Sequence, residues 1–156
     1  KDLERWVDGA YCSMLSEYAV PWVAAESAHG FEIGLEWIES KTPHKAAAGW
    51  ATLSSVASRR EDAQLDLDRY KQLIERVTTT IHEQPNRVKY TMNGFLIAVG
   101  SFVKPLNKLA IKAATQVGKV SVDMNGTACK VPFAPEYIKK VEARGSLGKK
   151  RKDARC

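Results

Sequence analysis

"KYTMNGFLIAVG" (89–100) sets Gly94 beside Phe95 in a stretch whose apolar residues recur at helical spacing. An interior glycine costs a helix about 1 kcal/mol relative to alanine. Yet the same juxtaposition stands 45 residues upstream, as Gly49–Trp50 in "KAAAGWATLSSVA" (45–57). Each pair falls on the more apolar helix of a predicted pair, followed by a charged amphipathic helix or a loop leading to one. A period of ~40–47 residues built from helix pairs is the spacing of HEAT-like repeats. In such a stack one helix of each pair is enclosed between neighbours. A glycine there lets a facing helix come close, and the adjacent aromatic fills the gap beyond it or projects into the concave surface.

The rest of the chain agrees with an all-α solenoid. Strand-like alternation is nearly absent apart from "KVSVDM" at 119–124. Breakers such as Pro21, Gly30, Pro43, Pro85, Pro105, Gly118 and Gly126 divide the chain at intervals typical of short helices. The spacing predicts helices near 2–8, 10–19, 21–28, 30–40, 43–59, 66–83, 86–101, 105–118 and 134–144. Within 66–83, Leu67, Tyr70, Leu73, Ile74 and Val77 form an inward stripe. Within 105–118, Leu106, Leu109, Ala110, Ala113, Ala114 and Val117 do the same, and Lys104, Lys108 and Lys112 form a basic stripe.

A chain of 156 residues is one domain in size and long enough to bury its own core. Three widely spaced cysteines, Cys12, Cys129 and Cys156, suggest neither a disulfide framework nor a zinc knuckle, so a reducing, cytoplasmic setting is expected. His29, His44 and His82 lack ligand spacing, so no metal site is expected. Neither G-x-x-x-x-G-K-[ST] nor G-x-G-x-x-G occurs, and no nucleotide or other cofactor is expected. No apolar run approaches the ~18 residues of a membrane span, and no membrane partner is expected. The net charge is +6, but residues 146–156, "SLGKKRKDARC", supply +4 of it, leaving +2 for the remainder. That tail is basic and poor in apolar residues, as expected of a flexible arm that tracks DNA or a mere solubilising end. The organisation expected is therefore a helical domain over 1–145 and a flexible basic tail over 146–156.

The last 70 or so residues carry a more specific signal. "VKYTMNGFLIAVG" and "LAIKAATQVGKVSVDMNGTACKVPFAPEYIKK" resemble the C-terminal part of the AlkD-type DNA alkylation repair family, HEAT-like repeat proteins that include glycosylases for alkylated purines. The features are Thr91–Asn93, "AVG" at 98–100, "GKV" at 118–120, "VD" at 122–123 and "TACKVPFAPEYI" at 127–138; "GW" at 49–50 and "RWVDGAYCSMLSEYAV" at 5–20 fit more loosely. A chain that begins at Lys1 within a helical pattern would then lack one or two N-terminal helix pairs. Independently of the family, "TACKVPFAPEYI" is suited to cap a solenoid, with Cys129, Val131, Phe133, Tyr137 and Ile138 arranged around two prolines. Cys129 has no histidine near it in sequence and is expected to be structural.

The resemblance implies hydrolysis of the N-glycosidic bond of N3- or N7-alkylated purines in duplex DNA. Such a lesion is cationic and leaves well, so the protein supplies a carboxylate near the developing sugar cation and aromatic faces around it. In active family members an aspartate, flanking tryptophans and an arginine on the concave face provide this. Carried onto this sequence, the acid falls at Glu17, with Asp8 as a rival, and Tyr18 lies beside it. Ser13 stands where one aromatic is expected, Ala46–Ala48 where the arginine is expected, and Phe95 where the later tryptophan is expected. Trp50 and Phe95 are the candidate groove aromatics. Lys45, Arg59, Arg60, Arg87, Lys89, Lys104, Lys108 and Lys112 are the candidate phosphate contacts along a basic concave face, with alkylated or distorted double-stranded DNA as partner. The alternative is a non-catalytic scaffold whose concave surface holds structured DNA or a protein. Whether Glu17 faces the same groove as the cations separates the two.

Overall fold

The computed structural model describes residues 1–154. These form eight α-helices and no strand: α1 (Asp2–Asp8), α2 (Val20–Glu26), α3 (Gly30–Trp37), α4 (Pro43–Arg59), α5 (Leu67–Thr80), α6 (Asn86–Phe102), α7 (Asn107–Val117) and α8 (Ala134–Ala143). The layering follows from which faces are apolar. α2, α4, α6 and α8 pack side by side in one layer, while α3, α5 and α7 back it. Pro43 stands at the start of α4, where the first turn has no amide bond to lose. The side chain of Asp66 accepts from the Arg69 amide, 2.9 Å away, and so caps α5.

The two glycine–aromatic pairs turn out to serve different ends. At Gly49 a β-carbon would lie 2.5 Å from the Ile38 amide nitrogen and 2.9 Å from the Gly34 carbonyl oxygen, so only hydrogen permits α3 and α4 to approach this closely. At Gly94 a β-carbon would meet nothing within 4 Å. The expectation of a close-packing device holds at Gly49 and fails at Gly94, which faces open space. Both aromatics depart from the groove position expected of them. Trp50 and Phe95 are 2% and 0% exposed and meet edge to face at 5.1 Å. Phe95 also stacks on Tyr70 at 5.8 Å, and Tyr70 on Phe31 at 5.5 Å. Successive helical residues point about 100° apart, so a glycine on the groove side of α6 sends its neighbour into the core. Burying side chains of this size contributes about 1.5–3 kcal/mol each.

Beyond α7 the chain from 118 to 133 is irregular, including the alternating stretch 119–124. No second strand pairs with it; instead the Asn86 side chain takes both backbone groups of Asp123, donating to its carbonyl at 2.7 Å and accepting from its amide at 2.8 Å. Of the expected capping residues, Ile138 is fully buried and Val131 packs on the core, whereas Cys129, Phe133 and Tyr137 are exposed.

Over its described part, 146–154, the basic C-terminal segment packs against the helical domain. The C-terminal carbonyls of a helix lack intrahelical donors, and this segment supplies them. The Gly148 amide donates to the Ser101 carbonyl at the end of α6, and the Arg151 amide to the Ser58 carbonyl at the end of α4, both at 2.8 Å. Lys150 donates to the Ala57 carbonyl at 2.9 Å and pairs with Asp62 at 2.8 Å. The Ala154 amide donates to Glu26, and Ala154 itself is buried against Ala25 and Val56. Arg155 and Cys156 lie outside the described residues.

At the other end, Lys45 on α4 pairs with Glu4 and Asp8 of α1, and Trp37 donates its indole N–H to Glu4 at 2.8 Å. The Lys45 hydrogen bond holds the Glu4 carboxyl below its ordinary value of 4.5. This clasp therefore stabilises the docking of α1 above about pH 4.5 and is lost as pH falls through the lowered value. Because Glu4 is partly exposed, the effect is at most about 1 kcal/mol. An acid titration followed by Trp37 fluorescence is expected to report loosening of α1 before global unfolding, and Glu4→Gln should abolish that step.

Candidate functional site

Pro21 has no N–H to offer the carbonyl of Glu17, four residues back, and its ring would collide with that carbonyl in a regular α-helix. The chain accommodates this with a π-helical turn, Leu15–Ala19, in which the Val20 amide bonds to the Leu15 carbonyl five residues back. The predicted break at Pro21 is thus a widened turn that runs straight into α2. Ser16 and Glu17 lie on its buried side.

The Glu17 side chain is 2% exposed, and both of its oxygens are taken by one guanidinium. Arg87, in the first turn of α6, donates from Nε at 2.6 Å and from Nη2 at 2.5 Å. Arg87 is itself held: its guanidinium lies 4.5 Å over the Tyr90 ring, and Nη1 reaches the Met124 sulfur at 3.7 Å. The bonds to Glu17 raise the Arg87 pKa further. Beside them, burial, with Tyr90 adjacent, pushes the Tyr18 phenol up to about 12, so it remains a neutral hydroxyl.

Glu17 and Tyr18 line a trough of about 490 Å3, while Arg87, bonded to Glu17, is not part of its lining. Its floor is made of small residues: Ala51, Ser54, Ser55 and Ser58 from α4, and Thr91, Gly94, Ala98 and Ser101 from α6. Tyr18 and Trp22, edge to face at 5.7 Å, form one wall; Tyr137 and Val141 of α8 form another. Lys149 and Arg151, from the docked C-terminal segment, sit on its rim, with Arg151 5.1 Å over the Phe102 ring.

The expected site residues are only partly brought together. Glu17 and Tyr18 line the trough, and Arg87 reaches it only through its bonds to Glu17. Trp50 and Phe95 are in the core. Lys45 is committed to α1. Arg59 donates to the Ala25 carbonyl at 3.4 Å and Arg60 to the Ala28 carbonyl at 3.2 Å, so both cap the end of α2. Lys89 is half-buried outside the trough lining; Lys108 and Lys112 are exposed on α7, in the backing layer. Lys104 packs against Gly148 of the docked segment. Among the described residues the basic inner wall expected from the sequence is therefore not formed: the trough is chiefly aromatic and neutral, and the cations in its lining are Lys149 and Arg151. Trp22, Tyr90, Tyr137, Lys149 and Arg151 were not anticipated there. A legible signal was the run of small residues at 91, 94, 98 and 101, which spares one face of α6 from bulk.

No protein-family model matches the sequence. An uncharacterised protein of Listeria innocua is 37% identical over 109 residues, covering 70% of this chain and 46% of that protein. One of Listeria monocytogenes is 37% identical over 108 residues, covering 69% and 45%. The chain thus spans about half the length of these curated relatives. A solved structure matches 99% of this chain and 66% of its own, with a TM-score of 0.91 and 37% identity. It is described as a new family of proteins related to the HEAT-like repeat DNA glycosylases with affinity for branched DNA structures. The chain has the HEAT-like repeat fold. Its structural neighbour carries the kinship to DNA glycosylases that the C-terminal motifs suggested.

Proposed function

We propose that this chain is the DNA-binding part of an AlkD-type relative that holds branched or otherwise distorted DNA without excising a base. The observation that carries this is the bidentate pairing of Glu17 with Arg87. Glu17 is among the residues lining the trough, which excision would also need. But stabilising a sugar cation needs net negative charge directed at it, and here both carboxylate oxygens are already committed to a cation. Bonded directly to Glu17, that cation also offsets the carboxylate's attraction for a positively charged purine. The enclosure of Trp50 and Phe95 removes two further expected parts of an excision site. What remains suits holding: a shallow trough with aromatic walls, which can pack flat groups exposed where a duplex is interrupted. The neighbour's affinity for branched DNA supports this partner.

The test is fluorescence anisotropy with a four-way junction and a linear duplex of equal length, beside an assay for base release from methylated duplex. The junction is expected to bind more tightly. Its affinity should fall about a hundredfold between 50 and 200 mM salt if some four phosphates are neutralised. Neither 7-methylguanine nor 3-methyladenine should be released. Release that Glu17→Gln abolishes would overturn the proposal in favour of the enzyme.

A further inference from the structure

We infer that residues 146–154 form a folded phosphate-binding strap, in which Lys149, Arg151 and Lys152 contact the nucleic-acid backbone and Lys150 anchors the segment. The inference rests on the DNA-binding reading above and names the part of the surface that carries it. Two helices of the inner layer, α4 and α6, end side by side at this edge of the trough. Helix C-termini present partial negative charge and unsatisfied carbonyls, which would repel a phosphate. The strap reverses that sign. Its amides satisfy Ser101 and Ser58, and the buried ammonium of Lys150, with a side chain 9% exposed, lies between the Ala57 carbonyl and Asp62.

This anchoring fixes where the neighbouring side chains stand. Gly148 adopts φ +74, a left-handed conformation that glycine takes without strain, and the chain then runs from the end of α6 to the end of α4. Lys149 and Arg151 flank the anchor and line the trough, whereas Lys150 is consumed by it. Lys149, Arg151 and Lys152 are exposed, and none makes an ion pair among the described residues. Lys104 joins them, packed along Gly148. A cluster of cations held by backbone hydrogen bonds loses less freedom on binding than the same residues on a loose arm. Phosphate chemistry is favoured over carboxylate recognition because a strap of this length presents its charges in a row rather than as a single fork.

The experiment compares the unaltered protein with a triple variant, Lys149→Ala, Arg151→Ala and Lys152→Ala, on the four-way junction over 50–300 mM salt. The triple variant should lower the slope of log affinity against log salt by about one per side chain removed, with affinity at 150 mM falling on the order of tenfold to a hundredfold. Its thermal unfolding should shift by only about 1–4 °C, from loss of the Arg151 contact with Phe102, since the backbone and Lys150 anchors are intact. Lys150→Met is the second variant: it should speed hydrogen exchange at the Gly148 and Arg151 amides and weaken binding in parallel. Should the unaltered protein bind while the triple variant keeps its full slope, the strap is overturned and the DNA reading stands. A slope lowered instead by Lys108→Ala with Lys112→Ala would move the contact to α7. Absence of junction binding by the unaltered protein would end both.

Discussion

Gly49→Ala is expected to lower the melting temperature by roughly 4–10 °C, while Gly94→Ala raises it by about 1–3 °C. Both glycines are interior to a helix and both precede an aromatic, so propensity alone predicts the same gain of up to about 1 kcal/mol for each. Packing separates them. The new methyl at 49 would sit 2.5 Å from the Ile38 nitrogen and 2.9 Å from the Gly34 oxygen, and backbone atoms cannot rotate out of its way. α3 and α4 must then part, which costs about 2–3 kcal/mol after the propensity gain, as overpacked cores do. The methyl at 94 enters the trough and touches nothing. Calorimetry of the two variants decides it; equal shifts would contradict the contact of α3 with α4. Larger side chains at 94 should leave the fold intact and fill the trough floor.

The second large effect lies in the Glu17–Arg87 pair. Arg87→Ala strands a carboxylate that is 2% exposed, and removing one partner of a buried pair costs about 3–5 kcal/mol. Glu17→Gln leaves a guanidinium that is 28% exposed and able to turn toward water, so its cost should be smaller, about 1–2 kcal/mol. The double variant should recover much of the Arg87→Ala loss, because the uncompensated charge is gone. Denaturant unfolding of the three proteins yields a coupling energy, expected above about 1.5 kcal/mol. Equal costs for the two single changes would mean that the carboxylate is not the desolvated member.

Much of the fold could be argued from particular residues. The Gly49–Trp50 and Gly94–Phe95 spacing, the stripes on 66–83 and 105–118, and Pro43 gave helices whose bounds agree with the structure to within a few residues. The site was less legible. Helical periodicity separates a buried face from an exposed one, but Trp50, Phe95 and Gly94 lie on helices with neighbours on both sides, where an apolar residue fits core and groove equally well. The cations were misplaced for a related reason: a lysine's sequence position does not tell whether it faces the trough, caps a carbonyl as Arg59 and Arg60 do, or joins two helices as Lys45 does.

By itself the sequence determined an all-helical repeat fold, because the 3.6-residue period of apolar side chains and the placement of prolines and glycines are local properties. It also marked Glu17 and Arg87 individually. Only the tertiary structure joined these two residues, 70 positions apart, into one ion pair, and only it turned a basic tail into a docked strap. Both depend on partners distant in the chain. A carboxylate's charge is available or spent according to what stands within hydrogen-bonding distance of it, and the helix ends that hold the strap become neighbours only when α4 and α6 pack.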